Sequence, residues 1–243
     1  MNEETYGWRG KIGLVYPAGD FPTGPEYYPL LPVGVSLTVT TLGISKMTGE
    51  EFEKSFEMYL SRAQHLAAQE CDVIVLEGSS VFSYMGFERS QEMIQKVRDL
   101  VKVPVVNNLV AHFDALRALS AKKIVIASPY EDARNQERKR LCESQGFKVL
   151  NTKGLGIVRK MDTEKLPPYM SYRVAKQAYL EAPEAEGIYI SCPGWQTIRN
   201  IEKLERDTGK PVVANPPAVV WSALKAMGIK EPIKGFGRLL ELI

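Results

Sequence analysis

Along this chain, short β-branched runs alternate with longer stretches in which apolar residues recur at helical spacing, the pattern of a parallel sheet covered by helices. The runs 11–16, 72–76, 103–106, 123–127, 187–191 and 211–214 predict strands, most of them followed closely by Gly, Pro, Ser or Asn. Between them, 48–69 and 89–100 read as amphipathic helices, the first capped by Thr48 with Glu51 three residues later. A further helix is predicted over 130–145, stopping at Gly146, a residue suited to the left-handed conformation at a helix end.

The alternation contains an internal repeat. Pro104-Val-Val-Asn-Asn108, followed by Ala115-Leu-Arg-Ala-Leu119, is echoed with a one-residue slip by Pro211-Val-Val-Ala-Asn215 and Ala223-Leu-Lys-Ala-Met227. Upstream of each lies a matching apolar run, Asp72-Val-Ile-Val-Leu-Glu-Gly78 in the first half and Gly187-Ile-Tyr-Ile-Ser-Cys192 in the second. The repeat predicts one α/β unit used twice, the first half spanning 1–115 plus 222–243 and the second 116–221. Ligands of open parallel sheets sit beyond the carboxyl ends of the strands. Gly78-Ser79-Ser80 and Cys192-Pro193-Gly194 are therefore expected at equivalent edges of the two halves, framing one cleft.

Composition narrows the partners. The 243 residues carry 31 Lys plus Arg against 29 Asp plus Glu, a net charge of +2, far from the basic excess of a nucleic-acid binder. No run of eighteen apolar residues predicts a membrane span, and the first ten residues, MNEETYGWRG, lack the apolar centre of a secretion signal. A cytoplasmic protein is expected, with its oligomeric state left open. Cys71, Cys142 and Cys192 match neither a disulfide framework nor a zinc site, and with only His65 and His112 beside them no metal is expected.

Cys192 is the first candidate for chemistry. It ends an apolar strand, and Pro193-Gly194 follow where a tight turn would expose the thiol near backbone N–H groups. A buried cysteine often serves as a small hydrophobe, but this placement favours reactivity. A free thiol with pKa about 8.5 is mostly protonated at neutral pH yet ionises with modest help, which suits a proton donor or acceptor at carbon. Cys71 and Cys142 have no such setting and read as structural.

Gly78-Ser79-Ser80 offers two hydroxyls and several backbone donors in one loop, either an anion cradle or a plain strand-to-helix turn. Ser128-Pro129-Tyr130 repeats the logic in the second half, where Tyr130 either points its phenol at the ligand or packs at a helix start. Asn107, Asn108 and Asn215 end matching strands and suit the holding of backbone loops, and His112 has no assigned role. Gly154-Leu-Gly156 lacks the third glycine of a dinucleotide fingerprint and does not open the first βα unit, so no nicotinamide cofactor is expected.

Several of these segments together resemble the aspartate/glutamate racemase superfamily and, within it, the arylmalonate decarboxylase branch, to which the maleate isomerases are related. They are Ile12-Gly-Leu-Val-Tyr-Pro17, Gly78-Ser-Ser-Val-Phe-Ser-Tyr84, Ala127-Ser-Pro-Tyr130, Gly187-Ile-Tyr-Ile-Ser-Cys192 and Gly235-Phe-Gly-Arg-Leu239. The resemblance implies two pseudo-symmetric flavodoxin-like halves with the active site in the cleft between them. Racemases of the superfamily carry a cysteine at both strand ends; here the first position is Gly78, as in arylmalonate decarboxylases.

Those enzymes take carbon dioxide from a disubstituted malonate without a cofactor and protonate the enediolate with a single cysteine. Carried over, Cys192 is the acid, Ser79, Ser80 and Tyr130 are neutral donors to the enediolate, and Pro17, Gly78, Pro193 and Gly194 line the site. The sequence departs from the branch over 154–172, which shapes the substituent pocket there, and at Pro193 and Trp195, where the branch has smaller residues. The expected function is decarboxylation of a small malonate-type diacid. The alternatives are a maleate or amino-acid isomerase, against which Gly78 weighs, and a small-molecule-binding protein without turnover.

Overall fold

The computed structural model describes residues 6–18, 21, 23–44 and 48–243. Residues 1–5, part of the stretch read for a secretion signal, lie outside the described residues. The strands are β1 (Gly10–Ala18), β2 (Val35–Ile44), β3 (Val73–Leu76), β4 (Val105–Asn107), β5 (Lys123–Ala127), β6 (Lys148–Lys153), β7 (Gly187–Ile190) and β8 (Val212–Ala214). They form two parallel sheets of identical order, β2-β1-β3-β4 and β6-β5-β7-β8. This is the α/β fold of two like halves that the repeat predicts.

The inner strands β3 and β7 are buried at every residue, as expected where helices cover both faces of a parallel sheet. The sequence reading passed over β2 and β6, and both are edge strands whose residues are mostly half-buried. The predicted helices are present with shifted ends. The first runs Gly49–Ala68, its N-terminus capped by Thr48, whose hydroxyl accepts the Glu51 N–H at 3.4 Å. The others run Phe87–Val101 and Asp132–Ser144, the latter followed by Gly146 at φ +87°.

The chain divides into two compact units, Met1–Phe21 with Leu31–Ala111 and Ser222–Lys230, and Pro22–Leu30 with His112–Trp221 and Glu231–Ile243. Compared with the expected halves, 22–30, 112–115 and 231–243 group with the second unit, and contacts within that unit explain the first and last of these stretches. The Glu26 carboxylate accepts the N–H groups of Thr197 and Ile198 at 2.6 and 3.0 Å, capping the helix Ile198–Thr208 in place of a local side chain. Buried Glu205 accepts the N–H groups of Val212 and Arg238, both at 2.9 Å. Gly237, at φ +91°, comes so near Ile201 and Glu205 that only a residue without Cβ fits.

In each sheet the chain leaves the first strand to one side and returns on the other. The switch point, where ligands of such sheets bind, therefore lies between β1 and β3 in one unit and between β5 and β7 in the other.

Candidate active site

In the second unit the switch point brings together two predicted residues 62 apart in sequence. The Tyr130 hydroxyl donates to the Sγ of Cys192 at 3.2 Å. Local structure fixes both ends of this contact. After β5, Ser128 donates to Asn135 Oδ1 and accepts the Tyr130 N–H at 3.0 Å, while Asn135 Nδ2 donates to the Tyr130 carbonyl at 3.1 Å. Gly154 lies so close to that carbonyl and to Asn135 that a Cβ would not fit, which gives the Gly154-Leu-Gly156 segment a packing role.

Cys192 follows β7 by two residues and is 2% exposed. Gly194 is buried, yet a Cβ built on it would meet nothing within 4 Å, so the backbone beside the thiol borders a void. Pro193 is half-buried between them. Trp195 is fully buried in the hydrophobic cluster that includes Cys192, Val174, Ile201 and Leu204, against which Tyr130, Leu155, Leu166 and Met170 also pack. The divergent 154–172 stretch thus lies against the same cluster as the thiol.

Burial, and after it the neighbouring Cys192, pushes the Tyr130 phenol well above the usual tyrosine range. Tyr130 is accordingly a neutral donor, suited to an anionic sulfur or oxygen. Cys142 is buried and pushed up to about 12 chiefly by its burial, and burial also raises Cys71, so both remain protonated thiols.

In the first unit, Pro17 interrupts the pairing of β1 with β2 between Tyr16 and Ala18, as expected of a residue without an N–H. Gly78 ends the β3 turn at φ +125°, and its Cβ position lies 3.6 Å from Pro17 Cγ. Ser79, buried, and Ser80, half-buried, open the helix Ser79–Met85. Pro17, Gly78, Ser79 and Ser80 therefore share the carboxyl edge of the first sheet.

The sequence reading missed Tyr59. It is fully buried and donates its hydroxyl to the Glu77 carbonyl, and this oxygen occupies the place where a Gly78 side chain would begin. Gly78→Cys is expected to destabilise the protein by roughly 1–3 kcal/mol, because it combines a positive φ with a displaced buried hydroxyl. Tyr59→Phe should then cost less in the Gly78→Cys background than in the wild type, as read from urea midpoints. Additive costs would show that the two positions do not compete for this space.

His112 also acquires a place. Its Nδ1 lies 2.8 Å from the Tyr189 hydroxyl and its Nε2 2.8 Å from Asn215 Oδ1, while Asn215 Nδ2 donates to the Tyr27 hydroxyl at 2.9 Å. The acceptor on Asn215 puts the ring proton on Nε2, leaving Nδ1 to accept from Tyr189. Burial, followed by the charge of Arg138, pushes His112 down to about 3.

A histidine that is harder to protonate when folded contributes stability above its unfolded value of about 6.5, and that contribution is lost as pH falls toward the folded value. Between pH 7 and pH 5, wild-type protein should lose about 2 kcal/mol more stability than His112→Asn, measured as urea midpoints. Burial shifts Glu205 upward, which has the opposite sign but is common to both proteins and cancels. Equal losses would mean that His112 is protonated in the folded state.

Asn108 Nδ2 donates to the buried Glu77 carboxylate at 2.7 Å, and Asn107 Oδ1 accepts the N–H groups of Leu109 and Val110. Of the strand-end asparagines, Asn107 thus holds local backbone, while Asn108 and Asn215 bond side chains distant in sequence. Among the described residues no helix is long and apolar enough to cross a membrane.

Residues 12–240 match the family model described as arylmalonate decarboxylase. Arylmalonate decarboxylase of Bordetella bronchiseptica is 28% identical over 95% of this chain and 96% of its own length. Maleate isomerase of Geobacillus stearothermophilus is 24% identical over 80% and 79%. A liganded structure of arylmalonate decarboxylase, with a glycine replaced by cysteine and a cysteine by serine, superposes with a TM-score of 0.85 at 25% identity. It covers 95% of this chain and 98% of that one. With a match that runs nearly end to end and relatives that are enzymes, the chain belongs to the arylmalonate decarboxylase family.

Proposed function

We propose that the protein is a cofactor-independent carboxy-lyase that removes carbon dioxide from a substituted malonate-type diacid. One observation carries the reading. Of the two matching strand ends, the one after β7 bears a thiol, with a phenol hydrogen-bonded to it at 3.2 Å, and the one after β3 bears Gly78.

In the proposed reaction the bond to one carboxylate breaks and its electron pair stays on the α-carbon as an enediolate. No base is needed. Ser79, Ser80, Tyr130 and loop N–H groups hold the charge, with Pro17, Gly78, Pro193 and Gly194 lining the site. The S–H bond of Cys192 breaks as the C–H bond forms, and the single Tyr130 O–H, released by the enediolate as its charge is quenched, then turns to the thiolate and stabilises it until solvent returns the proton. The 154–172 stretch and its neighbours receive the substituent.

The maleate isomerase relative supports a second reading, in which Cys192 adds to a double bond as a nucleophile. A panel of 2-substituted malonates, maleate and amino-acid enantiomers separates the two. Carbon dioxide released from a malonate, with maleate left unchanged, is the expected result. Fumarate formed from maleate without carbon dioxide release from any malonate would replace the lyase with an isomerase, and no turnover at all would leave a binding protein.

A further inference from the structure

Arg138 is the only Lys or Arg among the described residues with a buried side chain, at 9% exposure. Among the described residues its Nη1 has no hydrogen-bond partner and no carboxylate pairs with the guanidinium. An unpaired buried cation is costly to keep. It lies on the inward face of the helix Asp132–Ser144, in line with Asn135 and Cys142. Long helical side chains lean back toward the helix N-terminus. That direction leads from Arg138 toward Asn135, which holds the Tyr130 carbonyl.

The groups that feel this charge supply no counter-ion. Arg138 lowers the pKa values of Tyr130, His112, Tyr189 and Cys142, but burial dominates at each of them. Tyr189 and Cys142 are pushed up to about 12, Tyr130 is raised well above its usual range and His112 falls to about 3. All four are uncharged near neutral pH. None of these four groups supplies the anion that Arg138 lacks.

We propose that Arg138 is a built-in counter-charge for the Tyr130–Cys192 pair, stabilising the negative charge that an anionic substrate brings and that proton transfer leaves on sulfur. It acts through Tyr130 and does not touch the reacting atoms, which makes it a positioning residue. The inference rests on the decarboxylase reading and extends it. The substrate would arrive as a dianion, and the charge would be met by a buried cation in addition to neutral donors.

The test compares Arg138→Met and Arg138→Gln, which remove the charge, with Arg138→Lys, which keeps it. Alkylation of Cys192 by iodoacetate and by neutral iodoacetamide gives a rate ratio that reads the local field without any turnover, with Cys192→Ser as the blank. The neutral variants should fold, Arg138→Met with a melting temperature no lower than the wild type. Their iodoacetate-to-iodoacetamide ratio should fall by roughly fivefold or more. Turnover of a malonate substrate should fall by roughly tenfold or more, with little change in KM, and Arg138→Lys should retain most of both.

An unchanged alkylation ratio in a folded neutral variant would overturn the proposal whatever the activity. So would failure of both neutral variants to fold, since Arg138 would then be needed for structure alone. If the wild type shows the charge-selective alkylation but decarboxylates no malonate, the proposed reaction fails and the counter-charge stands.

Discussion

Cys192→Ser is expected to keep its fold and ligand affinity while losing at least roughly a hundredfold in turnover. The thiol and the hydroxyl are close in size, and Cys192 packs in a cluster whose members are unchanged, so the substitution alters acidity far more than shape. A hydroxyl is a far poorer acid, and a positioned general acid typically contributes about 10²–10⁴-fold. Tyr130 can still donate to the serine oxygen, which preserves the neighbouring geometry. Steady-state kinetics with a ligand-binding measurement on the same preparation check this. Near-normal turnover would remove Cys192 from the mechanism.

Removing one donor to the enediolate should have an effect of similar size. Tyr130→Phe is expected to lower kcat by about 2.7–4 kcal/mol equivalent, roughly 10²–10³-fold, if its hydroxyl acts as an oxyanion-hole donor. The ring should stay in place, because Ser128 and Asn135 hold the Tyr130 backbone and the Arg134 guanidinium lies 5.4 Å over the ring. Ser79→Ala and Ser80→Ala should follow the same pattern, with kcat falling more than binding, because these hydrogen bonds strengthen as charge develops. Variants that change only KM would show residues that hold the substrate and do nothing more.

The sequence reading was most effective where a residue's position is set by its own strand. The buried runs of β3, β5 and β7 are apolar at nearly every position, and each is followed by a residue that suits the sheet edge, which made Gly78, Tyr130 and Cys192 visible as candidates. The repeat then matched the position of Gly78 with that of Cys192. Edge strands gave no such signal. Val35–Ile44 mixes threonines with aliphatic residues and is half-buried throughout most of its length, so neither a continuous run nor a clean alternation marks it.

What escaped the sequence reading depends on partners far along the chain. Glu26 caps a helix 171 residues away, and nothing around it distinguishes it from a surface glutamate. Tyr59 sits at an apolar position of an amphipathic helix, where its spacing reads as core, and only the fold reveals that its hydroxyl borders Gly78. Arg138 lies in the highly charged stretch Arg134-Asn-Gln-Glu-Arg-Lys-Arg140, where a buried guanidinium cannot be told from its solvated neighbours.

The central claim is that one thiol delivers one proton to one face of a planar enediolate. Running the decarboxylation of a prochiral 2,2-disubstituted malonate in deuterium oxide, and reading the product by chiral separation with mass spectrometry, tests it most directly. The account predicts a single enantiomer carrying one deuterium at the α-carbon, and no inversion when one enantiomer of the unlabelled 2-substituted product is returned to the enzyme. A racemic product, or inversion of the returned enantiomer with uptake of deuterium, would contradict it, because either requires a proton delivered to the second face, whereas exchange with retention is only the reverse of the Cys192 step.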